Sequence, residues 1–214
     1  LTIDSTESDY CHGVAVDSSG NVFCAGYTKG NLGEANGGND DAFLMKLNSS
    51  GLLLEINHFE AHTVDQEWYM SKPSSKDICY DIKVDNDNNV YCAGSTSSHL
   101  GETNGGSFDA FVMKLNSSGE LQWITQLGSD SSNDNSLTID STKEDYCHGV
   151  AVDSSGNVFC AGETDGGLGE ANGGEYDAFI MKLNSLGELQ WVTQLGAVHQ
   201  SDNDHIIDST KEDR

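Results

Sequence analysis

The chain has 214 residues, with 10 Lys and Arg against 35 Asp and Glu, a formal charge of −25. So acidic a chain excludes a nucleic-acid backbone as partner, because phosphate binding needs a basic face, and it excludes docking on anionic lipid. The charged fraction is only 21% and the apolar residues gather in short blocks, which is the composition of a folded chain. No apolar run reaches the ~18 residues of a membrane span, so no membrane insertion is expected.

In chain order, the first feature is a repeat. Asp9 to Gly26 recurs unchanged at Asp145 to Gly162, an offset of 136, which is twice 68. A middle copy lies at Asp77 to Gly94. Asp41 to Asn48 returns in the same step at Asp109 to Asn116 and Asp177 to Asn184. The boundaries are therefore about 9–76, 77–144 and 145–212. Both ends fall at the same phase of the repeat, as in a window cut from a longer array. One stretch departs: Leu52 to Lys76 scarcely matches Glu120 to Glu144, and Glu55 stands where the later copies have Trp123 and Trp191.

Each copy holds four apolar runs. In the first they begin with Gly13-Val14-Ala15-Val16, Val22-Phe23-Cys24-Ala25 and Ala42 to Leu47; the fourth is clearest as Leu121 to Leu127. All have strand length and are bounded by Gly, Asn, Asp or Ser. The first three are apolar on both faces, which predicts burial on both sides; the fourth is mixed and reads as an edge strand. Asp17-Ser18-Ser19-Gly20-Asn21 and Asn48-Ser49-Ser50-Gly51 suit tight hairpins, with Gly20 in the left-handed conformation. The connections Thr28 to Asp40 and Gly128 to Tyr146 are long and polar, and emerge together on the opposite side. Such units predict an all-β chain: three tandem four-stranded antiparallel sheets with a 68-residue repeat, β-propeller blades forming an incomplete arc of a larger propeller. Gly13 and Ala15 suit the crowded axis, and Trp123 and Trp191 the wider rim. A β-solenoid, the rival, leaves two hairpins per repeat unexplained.

The run Val-Asp-Ser-Ser-Gly-Asn-Val-Phe/Tyr, a Gly-rich loop, then Asp-Ala-Phe-x-x-Lys-Leu-Asn-x-x-Gly resembles the bacterial β-propeller repeat family called SBBP. The matching residues are Asp17, Gly20, Asn21, Gly26, Asp41, Ala42, Phe43, Lys46, Leu47 and Gly51, with their equivalents. The resemblance implies a propeller in a secreted or cell-surface protein, and no defined enzymatic activity. Cys11 and Cys24 depart from the apolar residues common there.

The cysteines form pairs thirteen apart: Cys11 and Cys24, Cys79 and Cys92, Cys147 and Cys160. Regular pairing outward from the Asp17 turn sets Val14 opposite Cys24 and Cys11 opposite Tyr27. The two cysteines then lie three rungs apart on opposite faces, about 10 Å between Cα atoms, beyond disulfide reach. Free buried thiols come first on this reading, bridges between blades second, and bridges within a blade third; a bulge would shift the register.

Candidate sites are few. Asp85, Asp87 and Asn89 place oxygens at alternating positions, as calcium loops do; the competing reading is a turn rich in Asx residues. A second acidic group comprises Asp130, Asp134, Asp140, Glu144 and Asp145, with Glu34, Glu102 and Glu170 in the Gly-rich loops. His58 and His62 flank Glu60 without the spacing of a zinc motif. No nucleophile elbow, P-loop or dinucleotide fingerprint occurs. Copies so alike offer the same residues three times, whereas catalysis needs different residues converging. The expectation is therefore a non-enzymatic extracellular or cell-surface module. Its long-loop face would bind a protein or glycan, and further blades of the same chain would be its neighbours. No cofactor is required. Two alternatives stand beside it: a lyase or hydrolase with its chemistry in segment 52–76 (His58, Glu60, His62, Asp65, Glu67), and a calcium-stabilised adhesin.

Overall fold

A computed structural model of the chain describes residues 7–32, 36, 39–59, 75–101, 104–128, 143–168 and 172–196. Among these, every helix-length or strand-length element is a strand. Strands β1 (Asp9–Val16), β2 (Val22–Thr28), β3 (Asp41–Leu47) and β4 (Leu53–Phe59) form the first sheet in that order. Strands β5 (Asp77–Val84), β6 (Val90–Thr96), β7 (Asp109–Leu115) and β8 (Leu121–Leu127) form the second. Strands β9 (Asp145–Val152), β10 (Val158–Thr164), β11 (Asp177–Leu183) and β12 (Leu189–Leu195) form the third. All neighbours are antiparallel, as up-and-down connection requires.

The tight turns form as their residues dictate. The Asp17 carboxylate accepts from the Ser19 and Asn21 amides at 2.9 and 2.8 Å, and Gly20 takes φ +80°. In the middle copy Asn88 holds that place at φ 61°; asparagine tolerates this conformation better than most residues with a Cβ.

The sheets stack face to face. Phe23, Ala25 and Leu44 of the first pack on Cys79, Ile82, Val90, Cys92, Phe111, Met113 and Leu115 of the second. Tyr91, Ala93, Ala110 and Val112 of the second pack in the same way on Val150, Val158, Phe179, Met181 and Leu183 of the third. First strands are adjacent, β1 to β5 and β5 to β9. A Cβ on Gly13 would lie 3.0 Å from the Ile82 amide nitrogen, so the small residue belongs on the crowded side, as expected. At the rim the Trp123 Nε1–H donates to the Ser185 carbonyl at 3.2 Å, and the Thr125 hydroxyl to that of Gly187 at 2.5 Å. The sheets are also joined by backbone: Asp77 N–H donates to the Asp40 carbonyl at 2.6 Å, and Asp145 N–H to that of Phe108 at 2.8 Å.

Burial on both faces holds for β6 and β7 of the middle sheet, and for Phe23 to Gly26 of β2 and Asp41 to Leu44 of β3 in the first. In β1 the side chains of Val14 and Val16 are exposed instead, and β11 alternates buried with exposed. The apolar pattern is the same in all copies; among the described residues, only the middle sheet packs against another sheet on both sides.

The cysteines require a correction. Each pair is bridged within its own sheet, Cys11 to Cys24, Cys79 to Cys92 and Cys147 to Cys160, at Cα separations of 5.9, 6.0 and 5.9 Å. None of these thiols is free, and none bridges two sheets. Val14 does face Cys24, but a bulge at His12 then sets Cys11 opposite Gly26 rather than Tyr27. One extra residue returns Cys11 to the face of Cys24. Tyr80 and His148 occupy the bulge in the other sheets.

A candidate ligand-binding site along the bulged strands

A bulge re-aims the side chain it carries. Here three bulges lie in three adjacent first strands, near their long-loop ends, and their side chains meet in a row. His12 stands edge-on to Tyr80, with centroids 5.9 Å apart, and Tyr80 stands 5.3 Å from His148. The row extends at both ends. Tyr27 stacks on His12 at 5.5 Å and on Tyr10 at 4.8 Å; Tyr146 stacks on His148 at 5.9 Å and on Phe108 at 5.6 Å.

Polar groups edge the rings. The Ser95 hydroxyl donates to the Tyr80 oxygen at 3.2 Å. His148 Nε2 lies 3.4 Å from a Glu163 oxygen. Tyr146 and Tyr176 both donate to Glu144, at 2.9 and 2.8 Å. Burial raises the Tyr80 phenol above the ordinary tyrosine value, the Ser95 hydrogen bond only partly opposing it. Burial and the bond to Glu144 push Tyr176 up to about 12, and move Tyr146 further in the same direction. These phenols therefore keep their protons at neutral pH, and the row offers aromatic faces, neutral hydroxyls, imidazoles and carboxylates. Such a row combines apolar faces with polar tips, the composition ligand sites use.

The copies differ at several positions along this row. The bulge position reads His12, Tyr80, His148; another reads Tyr27, Ser95, Glu163; a third reads Asp40, Phe108, Tyr176. Near-identical repeats thus place unlike side chains side by side. A position-by-position comparison of the copies carried that signal.

Of the residues singled out from sequence, Glu144 belongs to this row, and the others that are described lie elsewhere. One oxygen of the Asp85 carboxylate accepts from the Asp87 and Asn89 amides, both at 2.9 Å, and the other from the Asn89 side chain at 2.8 Å and the Tyr91 hydroxyl at 3.0 Å. Burial alone would raise its pKa, but these bonds hold it below the usual carboxylate value. Asp85 and Asn89 thus spend their polar groups on the turn, and Asp87 contributes its amide. No cluster of three His, Cys, Asp or Glu suited to a metal occurs among the described residues. His58 sits in β4 opposite Phe43, its Nε2 against the Leu32 carbonyl. It is the counterpart of Gln126 and Gln194, whose side chains bond the equivalent loops. Glu144 belongs to the aromatic row and Asp145 is buried at the start of β9. Glu60, His62, Asp65, Glu67, Glu34, Glu102, Glu170, Asp130, Asp134 and Asp140 lie outside the described residues.

Tandem four-stranded antiparallel sheets, stacked with their first strands adjacent, define a protein of the β-propeller repeat class. The SBBP β-propeller repeat model matches residues 3–34, 69–102 and 122–170, more than half of the chain. The chain belongs to that family. No curated protein matches it significantly. Among solved structures, one described as a crystal structure of the eukaryotic initiation factor aligns with a TM-score of 0.45 at 6% identity, covering 91% of this chain and 34% of the other. The chain thus spans about a third of that structure's length.

Proposed function

We propose that the chain is a non-enzymatic, extracellular or cell-surface propeller module that binds glycan through its long-loop face, with His12, Tyr80 and His148 at the centre of the contact. The observation that carries this reading is the row of re-aimed rings edged by Ser95, Glu163 and Glu144. Ring faces stack on the apolar faces of sugars, and the carboxylates and hydroxyls accept and donate at sugar hydroxyls. A protein ligand rich in aromatic or prolyl side chains is the other occupant such a surface suits. Three cystine bridges in a chain of this size support residence in an oxidising compartment.

The test is titration of the oxidised chain against a panel of soluble oligosaccharides by calorimetry. Binding that falls at least about tenfold in Tyr80→Ala, with an unchanged melting temperature, supports the reading; a tenfold loss is about 1.4 kcal/mol. Absence of binding to every member of the panel overturns the glycan assignment.

A further inference from the structure

The phenols of the row keep their protons, and the acidic groups set among them are carboxylates. We propose, on the basis of the glycan reading above, that the row selects glycans bearing protonated amines, the ammonium lying over a ring face with Glu163 and Glu144 as its partners.

The centre of the row lies on three sheets already in contact, so its surroundings do not depend on what adjoins the first sheet or the third. Glu163 stands beside it with one oxygen 3.4 Å from His148 Nε2 and a side chain 44% exposed. A carboxylate has room for about four hydrogen bonds, so most of that capacity faces solvent. Tyr146 and Tyr176 both donate to the same oxygen of Glu144, Oε2; among the described residues Oε1 remains for a further donor.

The field along the row is negative on both flanks. Burial foremost, and after it the charges of Glu163 and Asp40, raise the Tyr80 phenol against the Ser95 bond. Tyr176 is raised by burial, by its bond to Glu144, and then by the charges of Asp165 and Glu163. Two lysines of the long-loop side are already engaged. Lys29 Nζ stands 3.8 Å from Asp40, and Lys143 Nζ donates to the Asp165 carbonyl at 3.0 Å. The chain's single arginine, Arg214, lies outside the described residues. Among those residues nothing offers the two-pronged donor that carboxylate, sulfate or phosphate groups take.

Three kinds of glycan therefore fare differently. An anionic one meets carboxylates and is repelled. A neutral one gains stacking and ordinary hydrogen bonds. One carrying an ammonium adds charge-assisted bonds to the carboxylates and attraction to the ring faces. The molecule already makes the second contact within itself, where Lys114 Nζ lies 5.3 Å from the Tyr91 centroid.

The experiment is calorimetric titration of the full oxidised chain at about pH 7, above the ordinary histidine value and below that of an α-amino group. Salt is held at about 0.15 M, where charges farther than about 8 Å are screened. The probes are a β-1,4-linked glucosamine hexasaccharide, the same hexasaccharide fully N-acetylated, and hexalysine. The free-amine sugar should bind at least about tenfold more tightly than the acetylated one. Glu163→Gln should weaken the free-amine sugar by about fivefold or more and leave the acetylated one within about twofold. That position holds Tyr27 and Ser95 in the other copies, so the variant should fold, and an unchanged melting temperature verifies it. Asp87→Asn removes the same charge from an exposed turn on the opposite side and should leave both affinities alone.

Acetylated sugar binding as well as the free amine, or better, overturns this inference and leaves the glycan reading standing. Asp87→Asn as damaging as Glu163→Gln overturns it too, since the attraction would then belong to the whole acidic chain. Hexalysine binding as tightly as the free-amine sugar overturns the choice of a sugar as carrier of the amine. Binding of neither hexasaccharide removes the glycan reading and this inference together.

Discussion

Gly26, Gly94 and Gly162 stand opposite the cysteine that precedes each bulge, because the bulge drives a carbonyl into the space a side chain would fill. A Cβ on Gly94 would lie 1.8 Å from the Ile78 carbonyl oxygen, and Gly26 and Gly162 meet the same obstacle at Tyr10 and Tyr146. Gly94→Ala is expected to cost about 3 kcal/mol or more, since the obstacle is backbone and cannot turn aside; chemical denaturation measures it. Two carboxylates give opposite pH signatures. Hydrogen bonds depress the pKa of Asp85 despite its burial, so its contribution is present above the unfolded value and is lost as pH falls through the folded one. Asp85→Asn should therefore be more damaging, relative to the parent, at pH 7 than at pH 3. Burial raises the pKa of Asp109, with bonds from Gly105 and Gln126 opposing, so its contribution is full below the unfolded value and is lost as pH rises through the folded one. Asp109→Asn should compare better with the parent at pH 7 than at pH 4. Urea midpoints across that range check both signs. Because the Asp85 carboxylate is taken up by its own turn, a chelator should leave the melting temperature unchanged; a fall of several degrees would support the calcium-stabilised reading instead.

Each last strand is tied to the loop between the second and third strands by one side chain. Gln126 Oε1 accepts from the Leu100 and Gly101 amides at 3.0 and 3.2 Å, and its Nε2 donates to the Ser98 carbonyl and to Asp109, both at 2.9 Å. Gln194 repeats the arrangement with Leu168, Gly166 and Asp177. Removing such a group leaves buried partners unsatisfied at about 1–3 kcal/mol each, partly recovered by relaxation. Gln126→Ala should destabilise by about 3 kcal/mol on these grounds. His58 does the same work in the divergent copy, so His58→Gln should leave stability within about 1 kcal/mol of the parent, by the same denaturation experiment. The strands and turns themselves were legible, because apolar runs bounded by Asp, Asn and Gly leave little else to form. The bulges were not, because one unpaired residue does not disturb an apolar pattern; the glycine repeated inside each second strand was their mark. That single residue set the cysteine pairing and turned His12, Tyr80 and His148 into a row, so the site was hidden by the same omission.

At the scale of the whole molecule, charge is the main term left uncompensated. Of the few cations, Lys46, Lys114 and Lys182 lie over the rings of Phe23, Tyr91 and Phe159, at 5.2, 5.3 and 5.4 Å from the centroids. They secure the sheets through ring faces rather than by pairing with carboxylates. Lys29 and Asp40 approach to 3.8 Å, with Lys29 half exposed, where an ion pair contributes little. A net charge of −25 therefore opposes compaction. Salt screens this repulsion over a distance that falls from about 30 Å at 0.01 M to about 3 Å at 1 M. The melting temperature of the chain should rise by several degrees across that range, because folding concentrates the charge. Differential scanning calorimetry at low and high salt measures the rise. A flat profile would show that the carboxylates are far enough apart in the folded chain to ignore one another.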